Sequence, residues 1–145
     1  MTQGLLVNID VDDLALAEAF YTRAFGLRTT RRFGADGVEL AGAAVPLYLL
    51  GKPAGSLACD APANARCAMR DYARHWTPVH LDFVVDDLDA ALARAESAGA
   101  RREGEVRTAA WGRIATLVDP FGNGLCVLQF LGRGYDEIAT SRAPD

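Results

Sequence analysis

Residues 5–11 alternate so that one face is wholly apolar: Leu5, Val7, Ile9 and Val11 fall on one side, and Leu6, Asn8 and Asp10 on the other. That is the period of a strand with one packed face. The period then changes. Leu14, Ala17, Phe20, Tyr21, Ala24 and Phe25 recur at helical spacing, with Asp12 or Asp13 as N-cap and Gly26 as the stop. Strands are predicted over Arg28–Phe33, Val38–Leu40 and Val45–Leu50, separated by Gly34, Asp36, Gly37 and Gly42. Pro46 has no amide hydrogen, so the last strand either lies at a sheet edge or begins there. The order is β-α-β-β-β.

The pattern then starts again. Val11-Asp12-Asp13-Leu14 recurs as Val85-Asp86-Asp87-Leu88, 74 residues further on. A strand Val79–Val85, a helix Asp87–Ala98 stopped by Gly99, and strands near Arg101–Arg107, Trp111–Val118 and Leu125–Phe130 repeat the order. Asp119-Pro120-Phe121-Gly122-Asn123-Gly124 is a dense turn signal between the last two. The duplication predicts an α+β fold, a single domain over 1–145 in which two tandem βαβββ modules, about 5–50 and about 79–131, form a curved mixed sheet around a ligand cup. The tail 132–145 is polar, with an apolar latch expected at Tyr135 and Ile138.

The connection 51–78 has neither period. Within it Ala65–Trp76 reads as a short helix that would align Arg66, Arg70 and Arg74 in one stripe, opposite Ala68, Met69 and Tyr72. Such a stripe is either a solvated face or a cover for the cup mouth or a dimer seam that attracts an anion. Composition narrows the classes. A net charge of −4, with 15 basic residues of which only Lys52 is lysine and no basic run, argues against a nucleic-acid partner. No apolar run approaches the roughly 18 residues of a membrane span. Cys59, Cys67 and Cys126 form no CxxC, and the N-terminus lacks a leader pattern, so a reduced, cytoplasmic protein is expected.

The two strand copies differ in chemistry: Leu6 corresponds to His80, and Asn8 to Asp82. If the faces opposite the helices meet, the cup floor holds Asn8, Asp10, His80 and Asp82. Polar groups there are either satisfied internally, for instance by Arg113 on a neighbouring strand, or line a ligand cavity. His80 and Asp82 stand about 6.6 Å apart in rise, close enough for the carboxylate to orient the imidazole as an acid–base group. Phe33, Tyr48, Trp76 and Trp111 are the aromatic candidates for cavity walls. Asp10 and Asp82 favour a cationic or amine-bearing ligand, the arginine stripe an anionic one.

Taken together, Phe20-Tyr21-Thr22-Arg23-Ala24-Phe25-Gly26-Leu27, the His80 strand and Asp119-Pro120-Phe121-Gly122-Asn123 resemble the vicinal oxygen chelate superfamily over roughly residues 5–131. That superfamily contains glyoxalase I, bleomycin-resistance proteins and extradiol dioxygenases. The resemblance implies a small-molecule ligand in the cup and a homodimer. In metal-using members a divalent ion is held by His or Glu from the first strand of each module and by Glu or similar groups from the last strands. Carried onto this chain, those positions are Leu6, His80, Leu47 or Tyr48, and Cys126. Only His80 is a standard match, while Cys126 offers a thiolate to a soft metal. Two readings follow. One is a bleomycin-resistance-like binding protein without a required cofactor, its ligand contacted by Asn8, Asp10, Tyr48, Trp76, Trp111 and Arg113. The other is a lyase, isomerase or dioxygenase, either dependent on a metal at His80 and Cys126 or using His80 and Asp82 as an acid–base pair. A dimeric partner protein with no cup ligand is a third.

Overall fold

The computed structural model describes residues 3–60 and 66–142. Module one is β1 (Val7–Val11), α1 (Leu14–Phe25), β2 (Arg28–Phe33), β3 (Gly37–Ala41) and β4 (Leu47–Gly51). Module two is β5 (Leu81–Val84), α2 (Leu88–Ala98), β6 (Arg101–Ala109), β7 (Gly112–Val118) and β8 (Gly124–Phe130). Asp13 and Asp87 sit at equivalent places in the repeat and start their helices in the same way. Each keeps an extended backbone and accepts an amide hydrogen three residues on, from Leu16 at 2.9 Å and from Ala90 at 3.0 Å. Left-handed Gly26 and Gly99 end them.

Each module builds its own four-stranded mixed sheet, in the orders β1-β4-β3-β2 and β5-β8-β7-β6. The first and last strands of each module pair in parallel and the other pairs are antiparallel. Among the described residues no hydrogen-bonded ladder joins the sheets and no barrel closes. Pro46 stands just before β4, its carbonyl accepting from the Val7 amide at 3.0 Å, so it costs the ladder nothing.

The apolar sheet faces pack onto the helices, and a single core runs through both modules. Phe20, Tyr21, Leu49, Leu88, Leu117 and Val127 are among its fully buried side chains, each worth about 1.5–3 kcal/mol of burial for residues of this size. Helices α1 and α2 lie against each other. Phe25 of α1 stacks on Phe83 of β5 with ring centroids 3.8 Å apart and planes 6° from parallel. The Tyr21 hydroxyl of α1 donates to the buried Asp119 carboxylate at 2.7 Å, tying module one to the β7–β8 turn of module two.

The helix predicted over Ala65–Trp76 does not form: Ala65 lies outside the described residues, and 66–76 are irregular. A strap replaces it. Ser56–Ala58 pairs with Ala68–Arg70, with Arg70 and Ser56 bonded at 2.8 Å and Ala58 and Ala68 at 2.9 Å. Two of the three arginines that suggested a stripe are engaged separately. Arg70 reaches back to the Asp10 carboxylate at 2.7 Å, and Arg74 to Glu103 at 2.8 Å. The weak apolar side splits likewise: Tyr72 packs edge-on to Phe121, whereas Met69 is exposed. A helix with so little to bury could not compete with these tertiary contacts. The expectation of fully reduced cysteines is corrected too, because Cys59 and Cys67 form a disulfide that closes the strap and leaves Cys126 as the free thiol. Among the described residues no helix is long and apolar enough to cross a membrane.

Candidate functional site

Alternation along β5 turns Leu81 and Phe83 toward the helices and Asp82 and Val84 away from them. Along β8 it turns Leu125 and Val127 inward and Cys126 outward. The register places Asp82 beside Cys126, and Cys126 beside Thr116 of β7. His80, immediately before β5, joins them: its Nδ1 lies 2.8 Å from Asp82 Oδ1, and Thr116 Oγ1 lies 3.9 Å from Cys126 Sγ. Ligand atoms of His80, Asp82 and Cys126 all fall within 4.8 Å of one another.

This patch borders a cavity of about 210 Å³, walled on one side by Thr116 and Cys126 and on the other by Arg74, His75, Trp76 and Thr77 of the strap. The strap is fixed there. Arg74 makes a two-pronged contact with Glu103, and the His75 ring touches the Ala73 carbonyl and Asn123 Oδ1, both at 2.9 Å. Trp76 stands at the mouth, 81% exposed. Burial pushes the Cys126 thiol above its usual range. The Asp82 charge adds to this, and the Thr116 hydroxyl and Arg107 charge oppose it.

The other sequence candidates lie elsewhere. Asn8 is exposed on the module-one sheet, Asp10 is occupied by Arg70, and Tyr48 stacks on Phe33 with centroids 6.1 Å apart. None of the three lines the His80 cavity, so the single polar floor of Asn8, Asp10, His80 and Asp82 is replaced by a cluster drawn from module two. Trp111 also lies off the cavity, packed on Phe130 and on Tyr135, whose contact supplies the expected latch; Ile138 remains exposed. Arg113 is a clear correction. It shares the helix-facing side of β7 with Ala115 and Leu117 and makes two 2.9 Å hydrogen bonds to Asp89 of α2. Its register partner Gln129 serves the same helix, accepting from the Leu88 amide at 3.3 Å and donating to the Asp86 carbonyl at 2.7 Å.

The register also resolves the choice between Leu47 and Tyr48. Leu47 is buried in the core, whereas Tyr48 pairs with Asn8 as Cys126 pairs with Asp82. Sequence reasoning missed Thr116 and the strap residues His75 and Thr77. Thr116 becomes visible once the parity of β7 is known, while the strap carries no periodic signal.

Residues 6–128 match the family model described as a glyoxalase-like domain. The chain belongs to that family. No curated protein sequence matches it at a significant level. Solved structures share the fold of this glyoxalase-like domain. One is a lactoylglutathione lyase from Agrobacterium tumefaciens, 22% identical with a TM-score of 0.59, covering 89% of this chain and 94% of that one. Another is a glyoxalase/bleomycin resistance protein/dioxygenase family enzyme from Burkholderia phytofirmans, 18% identical with a TM-score of 0.64, over 87% and 97%. A third is a variant of the genomically encoded fosfomycin resistance protein of Listeria monocytogenes, solved with Mn(II) and a dihydroxypropylphosphonic acid. It is 16% identical with a TM-score of 0.65, over 92% of both chains. At these identities the likeness speaks for the fold alone.

Proposed function

We propose that this glyoxalase-like domain binds a small organic molecule against the module-two sheet, with the His80–Asp82 pair as its polar anchor and Trp76 as its apolar cover. One observation carries the reading: the His80 imidazole, hydrogen-bonded to Asp82, lines a cavity of about 210 Å³ whose far wall is a pinned strap. Asp82 holds Nδ1, so Nε2 is the ring atom left for a ligand. The cavity is smaller than the roughly 300 Å³ at which drug-sized sites begin. A compact ligand, or one partly outside under Trp76, suits it.

The test is a thermal-shift screen of small metabolites and antibiotics on wild type, His80→Ala and Trp76→Ala. A binder at about 100 times its Kd adds about 2.7 kcal/mol, a rise of several degrees in a domain of this size. His80→Ala should weaken such a compound by about tenfold, the value of one good hydrogen bond. A shift that persists undiminished in both variants places the ligand elsewhere and ends the reading.

The 2.8 Å His80–Asp82 contact also favours a second reading, an enzyme in which His80 is the acid–base group and Asp82 orients it. Turnover of a bound compound that falls by about 10²-fold or more in Asp82→Asn, with binding retained, would select it over the binding protein. The open sheet faces carry exposed Leu6, Phe33 and Val84, and pairing with a second copy would cover them. We therefore expect a homodimer, and light scattering that finds only monomer at micromolar concentration would remove that expectation.

A further inference from the structure

The hard-donor metal set implied by the superfamily does not fit this chain. Of its four positions, Leu6 offers no donor, Tyr48 offers a phenol stacked on Phe33, and Cys126 offers sulfur where a carboxylate is expected. An octahedral ion such as Mn²⁺ or Mg²⁺ demands several oxygens. The mismatch has a direction. We propose that His80, Asp82 and Cys126 form a binding site for a thiophilic divalent ion of the zinc class, with sulfur as one donor, and that the site discriminates against Mn²⁺ and Mg²⁺.

The geometry supports this in three ways. First, Asp82 and Cys126 are register partners on adjacent parallel strands, and His80, two residues before Asp82 and just ahead of β5, is joined to it by a hydrogen bond. Donors carried on paired strands are held more firmly than donors on loops. Second, their ligand atoms lie within 4.8 Å of one another. Around a tetrahedral zinc, ligand atoms are separated by about 3.4–3.8 Å. The 2.8 Å hydrogen bond between His80 and Asp82 is shorter than that and would be exchanged for contacts to the ion, which their 54% and 34% exposed side chains leave room for. Third, the surroundings leave the fourth position open. His75 is the nearest other imidazole on the cavity wall, and both its nitrogens are engaged, by the Ala73 carbonyl and Asn123. A fourth ligand would then be water or a ligand atom from the cavity that His80 and Cys126 line. Forming the sulfur–metal bond breaks the Cys126 S–H bond and releases that proton to the buffer, with no change of oxidation state.

Co²⁺ is the probe, because a cobalt–thiolate bond absorbs in the near ultraviolet and zinc displaces it. Titration of the full chain should give a charge-transfer band saturating at one ion per chain. Cys126→Ser should abolish the band, and His80→Ala or Asp82→Ala should weaken cobalt binding tenfold or more. The Cys59→Ser/Cys67→Ser double variant should keep the band, and excess Mn²⁺ should not displace it. Melting curves of the metal-free variants identify any that fail to fold, and Asp82→Ala tests the cluster should Cys126→Ser be one of them. The proposal is overturned by the absence of a thiolate band in wild type, by a band that survives folded Cys126→Ser, by one that vanishes with the strap cysteines, or by ready displacement with Mn²⁺. Compound-induced shifts that persist in chelator while cobalt fails leave the ligand reading standing and remove this one.

Discussion

Asp119→Ala should destabilise the fold by about 3–5 kcal/mol, among the largest effects available to a single side chain. Asp119 is 4% exposed, and both its oxygens are fully used. Oδ1 accepts the amides of Phe121 at 2.8 Å and Asn123 at 2.9 Å, and Oδ2 accepts the Tyr21 hydroxyl at 2.7 Å and the Asn123 side-chain amide at 2.8 Å. Truncation strands a phenol that is 1% exposed together with two turn amides, at about 1–3 kcal/mol for each donor left unpaired, less what entering water recovers. At about 2–4 °C per kcal/mol for chains near this length, the melting temperature should fall by roughly 10 °C. Urea and thermal unfolding measure it, and a loss below about 1 kcal/mol would show that water replaces the carboxylate. Tyr21→Phe removes only one of these bonds and should cost about 1 kcal/mol.

The pH dependence follows from the same contact. Burial first, then the charge and hydrogen bond of Asp119, hold the Tyr21 phenol well above its ordinary range. A group raised in the folded state contributes stability that is complete below its unfolded value, about 10 for tyrosine, and is lost as pH rises toward the folded one. Stability should therefore decline above about pH 10, and the part due to Tyr21 should be absent from Tyr21→Phe.

Parity within a strand is a local property, and phase between strands is not, which separates what the sequence revealed from what it hid. Both βαβββ modules were legible because each element carries its own period and each helix its own Asp cap and Gly stop. The His80–Asp82 pair was legible for the same reason, being two residues apart on one strand. Arg113 was misplaced because its side depends on how β7 registers with β8; pairing with Gln129 rather than Cys126 puts it over α2. Trp111 went astray with it, as the neighbour of the same β-turn, and instead anchors Tyr135. The i, i+4, i+8 spacing of Arg66, Arg70 and Arg74 is helical, but two of those residues are held instead by carboxylates, Asp10 and Glu103, that are distant in sequence. The Cys59–Cys67 pair lies in the one segment without periodicity, and the Tyr21–Asp119 bond joins residues 98 apart, beyond any pattern rule.

Gly122→Ala should cost about 2–4 kcal/mol and also disturb ligand binding, because the β7–β8 turn and the cavity wall meet at this residue. Gly122 has φ +82°, and an added Cβ would fall 2.0 Å from the Ala73 carbonyl oxygen and 2.5 Å from its carbon. Both are strap backbone atoms, which cannot rotate away as a side chain could. The His75 amide donates to the Gly122 carbonyl at 3.1 Å, so the two segments are bonded at the point where they would collide. If the turn holds, the strap must move and take Arg74–Thr77, the cavity wall, with it. If the strap holds, the turn must shift and the hydrogen bonds gathered on Asp119 are strained. Gly26→Ala is the control: Gly26 has a similar φ of +67° but nothing within 4 Å of a new Cβ, so it bears only the left-handed penalty of about 1–2 kcal/mol. The excess cost of Gly122→Ala over Gly26→Ala measures the strap contact. Faster hydrogen exchange at the His75 amide should accompany that excess, whereas equal costs and unchanged exchange would mean that the strap yields freely and does not form a fixed wall.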